Sequence, residues 1–119
     1  MLIGNTFPLT LVRRNVNIRP IDEYYAKILI HESENLVSFW GHENTIKVAS
    51  DYAEFDLTPQ VSRPALNLNE DNFPELFGHV SNAVLVLSPE YPPNFRPAIG
   101  VEVEANQILG WTWLLVEFN

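Results

Sequence analysis

Apolar residues are gathered in short runs along this chain, and the strongest runs have the character of β-strands. The first occupies residues 1–7 and is followed by Pro8, which breaks an extended segment. Residues 83–88 form a continuous apolar run, the pattern of a buried strand at the centre of a sheet. Residues 112–118 repeat that pattern with aromatic and aliphatic side chains, which predicts a last strand that is buried on both faces.

Helical spacing is found in two segments that lie between further extended pieces. Residues 20–30 begin with a proline and two acids and end near a lysine, an order that suits the helix dipole. Residues 42–54 place apolar side chains along one face, and Glu43 and Lys47 stand at i,i+4 as an ion pair. Shorter strands are expected at residues 15–19, 36–40 and 63–68. The pattern predicts one α/β domain, residues 1–119, with a mixed sheet of about five strands flanked by helices.

The amino-acid composition gives the protein a strongly negative net charge. The 119 residues include 15 acids and 7 bases, so the formal net charge of −8 repels duplex nucleic acid and anionic membranes. Neither is therefore expected as a partner. A small anion gripped by a local group of cations remains compatible with that charge, because salt screens the distant charges. At this length one hydrophobic core is sufficient.

Cysteine usage and the chain's start bear on the compartment. There are no cysteines, which excludes disulfides, thiolate metal sites and cysteine nucleophiles. Met1 and the residues after it lack the basic region and long apolar run of a signal peptide. No apolar stretch approaches the ~20 residues of a membrane-spanning helix. We therefore expect a cytoplasmic protein.

The segment Gly41-His42-Glu43-Asn44-Thr45 is the most distinctive chemical signal in the sequence. Gly41 allows a sharp turn out of a strand and puts His42 at the start of a helix, beside N–H groups without partners. Such a position attracts phosphate, and a histidine there can act as a general acid. The structural alternative is that Gly41 only turns the chain, His42 is partly buried with its hydrogen bond satisfied, and Thr45 packs its methyl group.

Two arginines and a glutamate complete the candidate set. Arg63 and Arg96 each precede a proline, which favours an extended backbone from which a guanidinium can project toward phosphate; pairing with surface carboxylates is the alternative. Glu102 can orient a hydroxyl or take its proton, although a solvated strand face is the default for a glutamate. His31 and His79 lack neighbours at metal-ligand spacing, so we expect both at the solvated surface and no metal site.

These blocks resemble, in order and approximate spacing, the viral anti-CRISPR ring nucleases of type III systems. In that family an Asn-x-Phe segment closes the first strand, as Asn5-Thr6-Phe7 does here, and Gly-His-x-x-Thr-Ile opens a helix, as residues 41–46 do. An arginine further along corresponds to Arg63, and an aromatic-rich strand like residues 112–118 ends the chain. The resemblance extends over most of the sequence, with the histidine segment its most specific part.

The resemblance implies a two-fold homodimer that binds cyclic tetra-adenylate across its interface and cleaves it without metal or cofactor, in a bacterial or archaeal host cell. The family runs from its central strand into a closely spaced arginine and glutamate, for which Arg96 and Glu102 are the candidates here, separated by a different loop. The implied catalytic residues are His42, Arg96 and Glu102, and the implied substrate-binding residues are Asn5, Thr6, Gly41, Thr45 and Arg63.

Two other functions are also compatible with the sequence. The same pocket can belong to a cyclic-nucleotide binding protein that does not cleave its ligand, since the loop between Arg96 and Glu102 differs from the family's. Alternatively, the histidine segment is purely structural, and the chain is a phage or plasmid interaction domain that uses its Trp and Tyr residues at a protein interface. Tight binding without turnover would identify the first, and no ligand-induced thermal shift would identify the second.

Overall fold

The computed structural model describes all 119 residues and has a five-stranded mixed sheet at its centre. The strands in chain order are β1 (Leu2–Gly4), β2 (Val16–Ile21), β3 (Val37–Ser38), β4 (Asn67–Leu68), β5 (Pro74–Leu76), β6 (His79–Val80), β7 (Ala83–Glu90) and β8 (Gly110–Phe118). The two helices are α1 (Glu23–Glu32) and α2 (Ile46–Ala53). The main sheet has the order β2-β8-β7-β1-β3, and β4, β5 and β6 form a separate antiparallel sheet. The predicted α/β class and five-stranded mixed sheet are confirmed.

Strand β7 is the middle strand of the main sheet, as its apolar run predicts. Its residues from Val84 to Leu87 are all buried. It pairs antiparallel with β8, with Ala83 opposite Glu117 and Glu90 opposite Gly110, and parallel with β1, with Leu2 opposite Val84. The predicted last strand is confirmed as β8 and begins two residues earlier than expected. These long central pairings fix the frame on which the shorter elements rest.

The two faces of the main sheet are covered by different elements of the chain. Both helices lie on one face, where Ala26 and Ile30 of α1 and Ala49 and Ala53 of α2 join a buried cluster. The small sheet covers the other face through Leu76, together with half-buried neighbours. Neither helix has the length and apolar character needed to cross a membrane. The result is a three-layer arrangement around β1, β7 and β8.

Three of the predicted strands are shorter than expected. The first ends at Gly4, where the ring of Phe39 takes the space of a side chain, so that a Cβ on Gly4 would collide with that ring. The segment at 36–40 contributes only β3, which pairs with β1. The segment at 63–68 contributes only β4, because Arg63 has a left-handed backbone and Pro64 has no N–H to donate to a ladder.

Helix α1 begins later than predicted because Pro20 and Ile21 belong to β2 and pair with β8. A proline is tolerated there since β2 is an edge strand, whose outer N–H groups need no partner. The helix is instead capped by Asp22, whose Oδ1 accepts a hydrogen bond from the Tyr25 N–H at 2.7 Å. An Asx cap therefore sets the start of the helix.

The predicted helix at 42–54 is divided into a 3-10 turn, Glu43–Thr45, and α2. The expected face of Thr45, Val48, Ala49 and Tyr52 is confirmed: the first three are buried and Tyr52 is half-buried. The expected pairing of Glu43 with Lys47 is wrong. Because the 3-10 turn changes the helical phase, Lys47 instead pairs with Asp51, their Nζ and Oδ2 atoms lying 3.0 Å apart.

Candidate functional site

The turn after β3 is held by the indole of Trp40, which is 1% exposed. Its Nε1–H donates to Thr45 Oγ1 at 2.9 Å and to the His42 carbonyl at 3.1 Å. The Thr45 hydroxyl and N–H also donate to that carbonyl, at 3.0 and 3.1 Å. One carbonyl thus receives three donors, and the backbone of His42 is fixed. The role of Thr45 in this structure is that of a buried hydrogen-bonding residue.

The His42 side chain is exposed at the start of the 3-10 turn. The structural alternative, in which the His42 side chain is partly buried, is therefore wrong. The ladder of the turn begins with Thr45 N donating to His42 O, so the N–H groups of Glu43 and Asn44 precede it. N–H groups at that position of a helical turn are available to solvent or to an anion.

Gly41 is not required by the shape of the turn. Its φ lies outside the left-handed region, and a Cβ there would have ordinary contact, 3.7 Å from Asn5 Oδ1. A residue with a side chain could therefore form the same turn. What Gly41 supplies is its N–H, which donates to Asn5 Oδ1 at 2.8 Å. Asn5 lies behind the turn as a support, one residue beyond the end of β1.

Residues 41–45, which we call the hub segment, form hydrogen bonds with three remote parts of the chain. The three contacts are Asn5 Oδ1 with Gly41 N at 2.8 Å, Ser62 Oγ with Glu43 Oε1 at 2.5 Å, and Val103 N with Asn44 O at 2.8 Å. Val103 is 2% exposed, so its contact also fixes the adjacent Glu102 backbone. The hub segment is the point at which the candidate residues are brought together.

A cleft of about 1100 Å³ opens along the hub segment. Five of the predicted site residues line it: Gly41, His42, Thr45, Arg63 and Glu102. Three do not: Asn5, which supports the turn from behind; Thr6, which is exposed elsewhere; and Arg96. The Arg96 guanidinium donates to the carbonyls of Pro93 and Phe95, at 3.4 and 3.0 Å, and so stays with its own loop.

The charges of the cleft are mostly negative. Its lining has two permanent cations, Lys47 and Arg63, and four carboxylates, Glu43, Asp51, Asp56 and Glu102. Lys47 is already committed to Asp51, whose hydrogen bond and charge raise the pKa of Lys47, with a smaller contribution from Glu102. Arg63 takes part in none of the ion pairs of the protein. It is therefore the cation of the cleft that is free to meet an anion.

Arg63 has a backbone conformation that its sequence context disfavours. A residue before proline is expected to be extended, yet φ of Arg63 is +51°. The left-handed region costs a residue with a Cβ on the order of 1–2 kcal/mol. The expectation of an extended Arg63 is thus wrong. The alternative, that Arg63 pairs with a surface carboxylate, is also wrong, because Arg63 takes part in none of the ion pairs.

Sequence reasoning missed the aromatic residue of the cleft, Tyr91. It is half-buried, its ring lies 5.2 Å from that of Phe95, and burial raises its pKa. It gives the largely polar lining a flat aromatic surface of the kind that a nucleobase stacks on. Its position directly before a proline pair, in the loop that follows the strand predicted at 83–88, was the available signal. The contact of Ser62 with Glu43 had no signal in the sequence.

The other two histidines lie away from the cleft. His31 is exposed, as predicted. His79 is half-buried in β6, with its Nδ1 3.2 Å from Asn35 Nδ2, so its predicted place at the solvated surface is wrong. Burial, and then the nearby charge of the Met1 amino group, lower the pKa of His79. No three His, Asp or Glu side chains are grouped so as to hold a metal ion.

The cleft therefore combines an exposed imidazole, an uncommitted guanidinium, several carboxylates and an aromatic ring along one opening. These groups can transfer a proton, stabilise an anion and hold a base. Comparison with known proteins identifies no relative of this chain: no family model matches it, and no curated protein matches it either.

Proposed function

We propose that this protein is a metal-independent ring nuclease that cleaves cyclic tetra-adenylate and so antagonises type III CRISPR signalling. The observation that carries the proposal is the convergence of His42, Arg63 and Glu102 on one cleft. They come from three distant segments, and the motif resemblance had singled out each of them beforehand. A cleft of about 1100 Å³ is slightly larger than the usual small-molecule site, ~300–1000 Å³, which suits a ligand as large as a cyclic tetranucleotide.

The chemistry is an attack by a ribose 2′-hydroxyl on the adjacent phosphorus. The O2′–P bond forms while the P–O5′ bond breaks, and Glu102 accepts the proton that the 2′-hydroxyl loses. His42 donates a proton to the departing O5′, and Arg63 stabilises the charge on the phosphoryl oxygens. The products are linear adenylates that end in a 2′,3′-cyclic phosphate. All three protein groups in this mechanism are side chains that line the cleft.

A two-fold homodimer is part of the same proposal. A cyclic tetranucleotide has repeated, symmetry-related phosphates, and a two-fold pair of clefts can engage opposite phosphates in the same way. Each copy would contribute one His42 and one Arg63 to the ring. The cytoplasm of a bacterial or archaeal cell is the corresponding compartment, since the messenger is made there by the antiviral response.

The test is a metal-free incubation of the purified protein with cyclic tetra-adenylate in the presence of a chelator. Products are separated by chromatography and identified by mass. Cleavage by the natural sequence that is lost in His42→Ala supports the proposal. The matched control is His31→Ala, which removes an exposed histidine outside the cleft and should cleave normally. An intact ring after long incubation at high enzyme concentration would overturn it.

The charge of the cleft favours a second candidate, a nucleotide-binding protein that does not cleave. Four carboxylates line the site and Arg96 bonds to its own loop, an environment better suited to the N–H donors of a base than to several phosphates. Calorimetry separates the two candidates. Binding of cyclic tetra-adenylate that His42→Ala leaves unchanged, with no product in either sample, would select the binding protein.

A further inference from the structure

The segment that carries Arg63 has very few fixed points. It leaves the core at Leu57, which is fully buried, and returns to it at Leu66, which packs under the second face of the sheet. Residues 59–66 form neither helix nor strand. Between the two anchors a single hydrogen bond joins the segment to another element, from the Ser62 hydroxyl to Glu43 Oε1 at 2.5 Å. This bond is next to the residue whose backbone is strained.

A left-handed residue before proline does not hold its conformation unaided. Such residues persist where their surroundings determine them, and they are concentrated at functional sites. Arg63, with φ of +51°, immediately follows Ser62 and precedes Pro64. Fixing Ser62 from outside the segment is therefore a direct way to hold the Arg63 backbone in place.

We propose that Ser62 and Glu43 are a positioning pair that holds Arg63 against the cleft at a fixed place relative to His42. Glu43 is the next residue after His42, so the pair couples the backbone of the general acid to that of the arginine. The catalytic meaning of the pair rests on the proposed function. The geometric claim, that this bond orders residues 60–63, does not.

The bond also determines which group the Glu43 carboxylate contacts. A carboxylate lining the same cleft as an uncommitted guanidinium is a natural ion-pair partner for it, but Arg63 forms no such pair. Glu43 instead accepts the Ser62 hydroxyl. Ser62 thus keeps the carboxylate occupied and leaves Arg63 available to a phosphate. Removing the hydroxyl should have two effects: a looser segment and a competing carboxylate.

The kinetic test uses Ser62→Ala, with Ser62→Thr as the conservative variant that keeps a hydroxyl. We expect Ser62→Ala to raise KM for cyclic tetra-adenylate by about 3- to 10-fold, the usual scale for one hydrogen bond, and to lower kcat as well, because a displaced Arg63 stabilises the phosphoryl charge less. Ser62→Thr should restore KM to within about twofold. In an Arg63→Ala background, Ser62→Ala should have no further effect, because there is no guanidinium left to position. An equal effect in both backgrounds would contradict the proposal.

A ligand-free measurement keeps the geometric claim testable if the protein proves not to cleave the ring. Because the chain has no cysteine, Val61→Cys gives a unique site for a nitroxide label, and Val61 is 53% exposed. We expect an immobilised spectrum with the native Ser62 and with Ser62→Thr, and a mobile one with Ser62→Ala or Glu43→Ala. A label at Val80→Cys, 44% exposed in the small sheet, should not respond. A Val61 label with the same mobility in all variants would overturn the positioning role.

Discussion

The two sides of the cleft are built in very different ways. The helix wall, residues 41–53, is fixed by Trp40 from beneath and contributes Ala49 and Ala53 to the core. The loop wall, residues 91–102, has no helix or strand, and its apolar Ile99 is fully exposed, at 102%. The groups that need accurate placement, above all the imidazole of His42, belong to the first wall.

This contrast separates the residues that can carry chemistry from those that can only adjust to a ligand. Proton transfer requires donor and acceptor within hydrogen-bond reach, a condition that a well-packed turn meets more readily than an exposed loop. Tyr91 joins the loop wall to the sheet at one end, and Val103 N bonds to Asn44 O just beyond the other end. Between those points the loop wall is free to adapt. Four experiments test this difference between the walls.

The largest effect is expected on the helix wall, at its exposed histidine. His42→Ala should lower kcat for ring cleavage by about 10² to 10⁴, the range for a lost general acid, while the dissociation constant changes little. Single-turnover kinetics measures the first quantity and calorimetry the second. Equal losses of binding and of rate would show that His42 grips the ligand instead of protonating it, and the helix wall would lose its catalytic role.

The two arginines come next, because one lines the cleft and the other is held by the loop wall. Arg63→Ala should weaken binding of cyclic tetra-adenylate by about 10- to 100-fold, as expected for a lost charge-assisted hydrogen bond. Arg96→Ala, its matched control in an equally proline-flanked position, should change the affinity by less than about twofold. Calorimetry decides between them. A larger loss in Arg96→Ala would mean that the loop wall rearranges to bring its arginine to the ligand.

A smaller effect concerns the stability of each wall without ligand. Thr45→Val removes a buried acceptor of the Trp40 indole, which retains the His42 carbonyl, so we expect a loss of about 1–2 kcal/mol in the free energy of unfolding. Ile99→Ser on the loop wall should change it by less than about 0.5 kcal/mol. Urea unfolding followed by tryptophan fluorescence gives both values. Comparable losses would show that the loop wall is packed as firmly as the helix wall.

The smallest effect is a dependence of stability on alkaline pH. Burial, opposed in part by a hydrogen bond from Trp113, raises the pKa of Tyr52 on the helix wall above 10.0, and burial raises the pKa of Tyr91 above the same value. Above pH 10 the native state therefore keeps protons that the unfolded state has lost. The contribution is complete below pH 10 and is lost as pH rises through the native pKa values.

Each tyrosine can be tested by its phenylalanine variant in urea unfolding at several pH values above 9. Tyr52→Phe and Tyr91→Phe should each make the decline of the free energy of unfolding less steep, whereas Tyr24→Phe, which removes an exposed hydroxyl, should not. If Tyr91→Phe alone had no effect, the loop wall would be open to solvent at Tyr91 and the contrast between the walls would be greater.

Much of the fold was accessible from the sequence because its strongest signals are local. The apolar run of β7 predicted its central place and all but its last two residues, and the aromatic run of β8 predicted the last strand. The shorter strands were overestimated because their limits depend on tertiary contacts. The Phe39 ring against Gly4 is one of these, and it has no counterpart in local spacing. A two-residue strand such as β3 is defined by its neighbour more than by its own residues.

The candidate site was predicted less completely, for the same physical reason. The sequence selected His42, Arg63 and Glu102, which the cleft brings together, and Arg96, which it does not. Arg63 and Arg96 share the same following residues, Pro and Ala, yet only one has a left-handed backbone. The same two following residues thus accompany different backbone conformations. What separates them is the contact of Ser62 with Glu43, between residues far apart in the chain.

The hub segment also bears on the order in which this protein folds. Its bonds to Asn5 and Ser62 close loops of 36 and 19 residues, and its bond to Val103 closes a longer one. Closing such loops costs chain entropy that only a formed sheet can offset. A peptide containing residues 36–54 alone should therefore lack the turn geometry. We therefore expect the cleft to form late in folding, after the sheet has brought these distant segments together.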